Sequence, residues 1–88
     1  MLTAKEKTKI IEKHRVHEKD TGSSDVQVAI ITEEIMRLAD HLKNHPKDNH
    51  SRRGLLKMVA QRKRLLNYLM GENEERYQKV IKKLGLKK

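Results

Sequence analysis

HLKNHPKDNHSRRG, residues 41–54, is a polar break between two long segments that carry apolar residues at helical spacing. The stretch holds three histidines, four lysines or arginines and a single acid, Asp48. Pro46 has no backbone N–H and disfavours helical conformation at the residue before it. Residues 41–54 therefore predict an exposed turn between two helices, with a surface suited to an anionic partner.

The segment before this turn has the apolar pattern of a helix that packs on more than one neighbour. From residue 25 to about residue 43, apolar residues recur every three or four positions, which predicts an amphipathic helix. They are Val28, Ile31, Ile35, Leu38 and Leu42, flanked by Val26, Ala29, Ile30 and Ala39. The pattern stops before the roughly three to four heptads of a coiled coil, so we expect a globular helix.

The segment after the turn predicts a helix from near Ser51 to about Met70, capped by Asp48 or Ser51. At about 100° per residue, one arc is apolar. It contains Leu55, Met58, Val59, Leu65, Leu66, Leu69 and Met70. The opposite arc contains Arg53, Lys57, Gln61, Arg64 and Tyr68. A solvated basic face usually interleaves acids, and no acid lies between residues 51 and 70, so this arc favours a binding face.

Helix-capping patterns mark the remaining elements. Thr3 with Glu6 has the capping-box form and predicts a first helix over residues 4–15, held by few large apolar side chains and so the least firmly attached. Ser24 with Gln27 has the same form at the start of the second helix. Asn73 after a turn at residues 71–73 predicts the start of a last helix, which Gly85 ends.

The amino-acid composition also favours a helical fold. Hydrophobic residues make up 35% of the 88 residues and charged residues 38%, with no Phe, no Trp and two Tyr. Good helix formers dominate and β-favouring aromatics are scarce. We therefore predict an all-α fold, a small four-helix domain with short turns, and a single domain over residues 1–88.

Charge indicates the kind of partner. The net charge is +9, and residues 41–64 hold eight lysines or arginines against Asp48 alone. A folded basic domain binds nucleic acid, an anionic membrane surface or an acidic protein. No cysteine is present, which excludes disulfides, and no apolar run reaches the roughly 18 residues of a membrane span. We expect a soluble intracellular protein without a membrane partner.

Two polar groups invite other chemistry. His41 and His45 stand one helical turn apart, a spacing that zinc sites use, but Pro46 disfavours helix at His45 and no HExxH acid accompanies the pair. We therefore expect no metal, no other cofactor and no catalytic site. The turn around Thr21 and Gly22 offers backbone donors for a phosphate, although helix capping accounts for it as well.

Several motifs resemble one protein family. TGSSDVQVAI at residues 21–30, KDNHSRRGLL at residues 47–56, Arg-Tyr at residues 76–77 and Leu-Gly-Leu at residues 84–86 are similar to the bacterial fifteenth protein of the small ribosomal subunit, the uS15 family. The likeness covers essentially the whole chain. Pro46 and Asn49 depart from the family, which commonly has a basic residue and a histidine there.

The resemblance implies a four-helix fold and binding to small-subunit (16S) rRNA at a three-way junction and a nearby minor-groove site with a G·U and a G·C pair, early in assembly of the central domain. Junction contacts would come from Thr21, Gly22, Gln27, Arg64 and Tyr68. Minor-groove contacts would come from His41, Asp48 and Ser51. The resemblance also implies contact with large-subunit rRNA in the joined ribosome, with other small-subunit proteins through the assembled RNA, and in some members with their own mRNA.

The leading interpretation is a non-enzymatic, cytoplasmic ribosomal protein, with Arg53 and Lys57 joining Arg64 in phosphate contacts. One alternative is a metal- or histidine-dependent nuclease, which long incubation of RNA with divalent metal would reveal. Another is a basic DNA-architectural protein, which would bind duplex DNA comparably and insert apolar wedges.

Overall fold

A computed structural model describes residues 2–14 and 23–86. Within these ranges there are four helices and no strand, so the all-α prediction is confirmed. The helices are α1 (Ala4–His14), α2 (Ser24–Asn44), α3 (Asn49–Glu72) and α4 (Glu74–Leu84). The molecule is elongated, with extents of 40 × 28 × 18 Å.

The centre of the fold is an antiparallel hairpin of α2 and α3. Arg62 Nη1 donates to Thr32 Oγ1 at 3.4 Å, a partner that the sequence did not reveal for this arginine. Nearer the turn, a Cβ placed on Gly54 would lie 3.8 Å from Leu38 Cδ2, an ordinary van der Waals distance. The helices therefore pack closely there without requiring a glycine.

The core lies at the end of the hairpin away from its turn. Val28, Leu69, Tyr77 and Val80 form one buried cluster, in which α4 closes over α2 and α3. Val59 and Met70 were predicted on the apolar arc of α3, yet they are 41% and 45% exposed. The apolar arc is therefore wider than the buried face of α3, and these two residues lie at its exposed margin.

The ends of the helices agree with the predicted capping residues except at two places. Thr3 and Glu6 exchange hydrogen bonds of 3.0 and 3.2 Å, which confirms the first capping box. The cap of α2 is Ser23 and not the predicted Ser24, because Ser23 Oγ accepts from Val26 N at 3.3 Å. The predicted turn at residues 71–73 is also wrong for its first two residues, which are helical.

A single residue joins α3 to α4. Asn73 N–H donates to the Leu69 carbonyl at 2.8 Å and so ends α3. Its Oδ1 accepts from Arg76 N at 3.1 Å and so caps α4, as predicted. Gly85 then ends α4 at φ 64°, where Leu86 N donates to the Ile81 carbonyl at 3.0 Å.

The attachment of α1 is narrow. It packs along α2, where the Arg37 guanidinium forms an ion pair with Glu6 and a second one, 3.7 Å long, with Glu33. At its far end, Lys83 Nζ donates to the Lys13 carbonyl oxygen at 3.2 Å. Few large side chains hold this helix, and polar contacts supplement them.

Candidate nucleic-acid interface

The turn between α2 and α3 carries an ordered polar cluster of His41, Asp48 and Ser51. Asp48 Oδ1 accepts from Ser51 N at 3.0 Å and thereby caps α3. Asp48 Oδ2 accepts from Ser51 Oγ at 2.7 Å and lies 2.9 Å from His41 Nε2. The structure thus brings all three predicted minor-groove residues together, with Asp48 as their common partner.

These hydrogen bonds favour the carboxylate form of Asp48. The side-chain and backbone donors of Ser51, followed by His41, hold the pKa of the Asp48 carboxyl well below its ordinary value. A carboxylate can only accept hydrogen bonds, so His41 Nε2 carries the hydrogen in this contact. The opposite ring nitrogen of His41 is then an acceptor when the ring is neutral.

The backbone around the cluster is ordered by further bonds. Asp48 N donates to the His45 carbonyl at 3.1 Å, and Arg52 Nη2 donates to the Pro46 carbonyl at 2.6 Å. The His45 ring lies against the His41 ring, with centroids 4.6 Å apart and a 30° tilt. Pro46 therefore stands in a defined turn, and His41 is held from two sides.

The surface around His41 is concave on both flanks. One depression is lined by His41, His45, Pro46, Lys47 and Asp48. The other is lined by Glu34, Arg37, Leu38, His41 and Ser51. His41 lines both depressions, so a ligand that lies across the turn can reach its ring.

The predicted basic arc of α3 is a solvent-exposed surface. Its members Arg53, Lys57, Gln61, Arg64 and Tyr68 are all exposed, and Tyr68 is 61% exposed. None of its three cations forms an ion pair with another described residue. The charges are therefore available to phosphate, and the Tyr68 ring is available for stacking.

Gln27 lies at the end of the hairpin opposite the turn. It is exposed and follows the first turn of α2, while its neighbour Val28 packs in one cluster with Leu69, the neighbour of Tyr68. Gln27 and Tyr68 are thus at the same end of the molecule. Thr21 and Gly22, predicted beside them, lie outside the described residues.

One ion pair near this end was not predicted. Arg76 at the start of α4 binds the buried Asp25 at the start of α2, with Nε–Oδ1 3.1 Å and Nε–Oδ2 3.4 Å and a further contact through Nη2. Arg76 belongs to a motif of the resemblance, which is the one signal that marked it. Its partner Asp25 is 51 positions away in the motif of residues 21–30, and nothing in the local sequence indicates that the two side chains pair.

Two other kinds of site find no support in the described part of the chain. No group of three or more His, Cys, Asp or Glu side chains there could hold a metal ion. None of the helices in residues 2–14 and 23–86 has the length and apolar content needed to cross a membrane.

An all-α domain with a hydrogen-bonded polar turn and a basic helix face without acids has the features that indicate a nucleic-acid-binding protein. The family model described as Ribosomal protein S15 matches residues 7–87. The chain belongs to this family, as the sequence motifs indicated.

Three proteins of this family are similar to the chain over nearly its full length. The chain is 60% identical over 87 residues to the small ribosomal subunit protein uS15 of Carboxydothermus hydrogenoformans, covering 99% of this chain and 98% of that protein. It is 57% identical over 88 residues to uS15 of Caldanaerobacter subterraneus subsp. tengcongensis, covering all of both chains. The uS15 of Desulforudis audaxviator is 60% identical over 87 residues, 99% of this chain and 98% of its own.

Membership of this family shows what kind of protein the chain is. The chain is a structural protein of the small ribosomal subunit and not an enzyme, and RNA binding and a part in translation follow from its family. Its place is the cytoplasmic ribosome. The nuclease alternative is thereby removed.

Proposed function

We propose that this chain acts as one rRNA-binding domain that recognises small-subunit rRNA at a three-way junction and at an adjacent minor-groove site with a G·U and a G·C pair. Binding there nucleates assembly of the central domain. The observation that carries the proposal is the hydrogen-bonded cluster of His41, Asp48 and Ser51 on the exposed turn.

The cluster has the chemistry that a minor groove requires. Ser51 Oγ donates its hydrogen to Asp48, so this oxygen can still act as an acceptor towards RNA. G·U and G·C pairs both display the guanine 2-amino group in the minor groove, and that group is a donor. In RNA this groove is wide and shallow, so a turn can reach it, and His41 can contact base edges or 2′-hydroxyls.

The other end of the hairpin supplies the junction contacts, and the basic arc of α3 between the two ends adds phosphate contacts. Arg64 together with Arg53 and Lys57 neutralises phosphates, which gives affinity that depends on salt. Tyr68 stacks on an unpaired base, a contact worth about 1–3 kcal/mol. Gln27 with the preceding Thr21 and Gly22 completes the junction set in this proposal.

The proposal includes the wider partners of the family resemblance. In the joined ribosome the chain contacts large-subunit rRNA, and it meets other small-subunit proteins through the assembled RNA. A copy of the junction in its own mRNA would compete for the same surface.

The first test is a salt titration of binding to a three-way RNA junction that carries the minor-groove site, with duplex DNA and a plain RNA hairpin as competitors. We expect the junction to stay bound at salt concentrations that release both competitors, since base contacts add to the phosphate term. Simultaneous release of all three would reduce the chain to a general polyanion binder. Comparable retention of duplex DNA would favour the DNA-architectural alternative.

Two variants with matched controls assign the sites. His41→Ala should lose the preference for the G·U and G·C site, whereas His50→Ala removes an imidazole from the same region outside the hydrogen-bonded cluster.

Tyr68→Ala should weaken junction binding about tenfold or more without unfolding. Leu56→Ala is its control, because Leu56 is 65% exposed on the same helix. Equal effects of variant and control would remove the assigned role.

A further inference from the structure

The C-terminal ends of α1 and α4 meet through a lysine. Lys83 Nζ donates to the Lys13 carbonyl oxygen at 3.2 Å, although the two residues are 70 positions apart. The Lys13 carbonyl is one of the last of α1, which lack partners within the helix. This bond uses one of the three donors of the Lys83 ammonium group and leaves the others available.

Further lysines surround this contact. Lys13, Lys79, Lys82 and Lys83 are all exposed, and none of them pairs with an acid among the described residues. The acids of α4 are confined to its first turn, at Glu74 and Glu75. We call the four lysines the lysine surface.

Ordinary helix chemistry explains only part of this arrangement. Cations in the last turn of a helix interact favourably with its dipole, which accounts for Lys82 and Lys83. Lys79 lies a full turn earlier and stands four positions from Lys83, so the two ammonium groups repel each other. An anion that binds between the two helix ends would offset that repulsion.

The lysine surface is close to the proposed junction contacts. Val80, next to Lys79, packs in the cluster that also contains Val28 and Leu69. Those two residues are the chain neighbours of Gln27 and Tyr68. The lysine surface therefore lies at the same end of the molecule as the junction set, on different helices.

We propose that the lysine surface binds the phosphate backbone of one RNA arm that leaves the three-way junction. This inference rests on the proposed function, since it assigns a second contact with the same RNA. The lysine surface would neutralise phosphates without contacting base edges. It would therefore increase the affinity and its salt dependence, and it would give no preference for a base pair.

The test compares two double variants of the full chain, each of which removes two positive charges. Lys79→Gln with Lys82→Gln alters the lysine surface and retains Lys83 and its bond to α1. Lys5→Gln with Lys7→Gln is the control, because these exposed lysines lie in the first half of α1. Thermal unfolding of both variants verifies that each is folded.

We expect the first double variant to reduce the slope of log K against log salt by about 1.5, at about 0.7–0.9 for each lost phosphate contact. The control should change it far less. The preference for the G·U and G·C site should be the same in both. Shortening one arm of the junction should abolish the difference between the two variants, and this identifies the arm.

The outcomes separate the two proposals. If the wild-type chain fails to distinguish the junction from a plain hairpin, the proposed function fails. If the wild type does distinguish them but both double variants show equal slopes, only the lysine surface is rejected. A slope difference that persists whichever arm is shortened also overturns it, because the lysines then act at long range.

Discussion

The two ends of the α2–α3 hairpin are built from different interactions. At the end near α4, Val28 and Leu69 are 0% and 1% exposed and pack with side chains of α4. At the turn, His41, Asp48 and Ser51 hold one another through hydrogen bonds, and their side chains are partly open to solvent. Buried apolar side chains hold the end near α4 together, and hydrogen bonds between surface side chains hold the turn.

This difference separates stability from recognition. Apolar burial contributes most of the free energy of folding but offers nothing to an RNA groove. Exposed hydrogen bonds contribute little net stability, yet they fix the positions of donors and acceptors before a ligand arrives. Substitutions at the two ends should therefore have different consequences, and three predictions test this in order of decreasing effect on stability.

The largest effect should come from Leu69→Ala. Removing a fully buried leucine leaves a cavity where α3 meets α4, and we expect the free energy of unfolding to fall by about 3 kcal/mol. Leu56→Ala deletes the same atoms from an exposed position of the same helix and should change it by less than about 0.5 kcal/mol. Urea denaturation of both variants measures the difference, and similar losses would contradict the location of the core.

A smaller loss is expected from Asp25→Asn. The buried carboxylate then becomes a neutral amide, and the charge-assisted bonds with Arg76 are weakened, at a cost of about 2 kcal/mol. Asp40→Asn removes an equal charge from an exposed position of the same helix. If the two variants unfold at the same urea concentration, the ion pair does not fasten α4 to α2.

The smallest effect on stability should come from the turn. Asp48→Ala removes the cap of α3 and should lower Tm by a few degrees, whereas Asp48→Asn retains a capping side chain and should lower it less. Both should impair the G·U and G·C preference, since both disturb His41 and Ser51. Thermal unfolding combined with RNA binding separates these effects, and full preference in Asp48→Asn would show that charge at this position is dispensable.

The pH dependence of this cap has a defined sign. The pKa of Asp48 is lower in the folded chain than its ordinary value of 3.8, so folding favours the carboxylate. Its stabilising effect is complete at neutral pH and is lost as the pH falls below about 4 towards the folded pKa. The Tm difference between the wild type and Asp48→Asn should therefore diminish below pH 4, and a difference that grows there would contradict the direction of the shift.

Much of the fold could be predicted from local chemistry. The four helices, the Asp48 and Asn73 caps and the end of α4 at Gly85 follow from spacing and from side chains that act within a few residues. The predicted N-cap of α2, Ser24, was wrong by one residue, because the neighbouring Ser23 has the same capping chemistry. Local sequence does not tell which of them begins the helix.

Long-range contacts could not be predicted in the same way. Whether Val59 and Met70 are buried depends on where α4 crosses α3, and no periodicity within α3 contains that information. The same holds for the partners of Asp25 and Arg62, which lie on other helices. The family resemblance named His41, Asp48 and Ser51 at the turn, and the hydrogen bonds that join them through Asp48 are seen only in the structure.

The length of α3 has a consequence for the RNA. Ser51 and Tyr68 are seventeen residues apart on this one unbroken helix, which at about 1.5 Å per residue separates them by about 26 Å along its axis. A continuous helix bends little over this distance, so under the proposed function α3 acts as a molecular ruler. It would accept only those RNA folds in which the junction and the paired site are one fixed span apart, and so would select a three-dimensional spacing as well as a sequence.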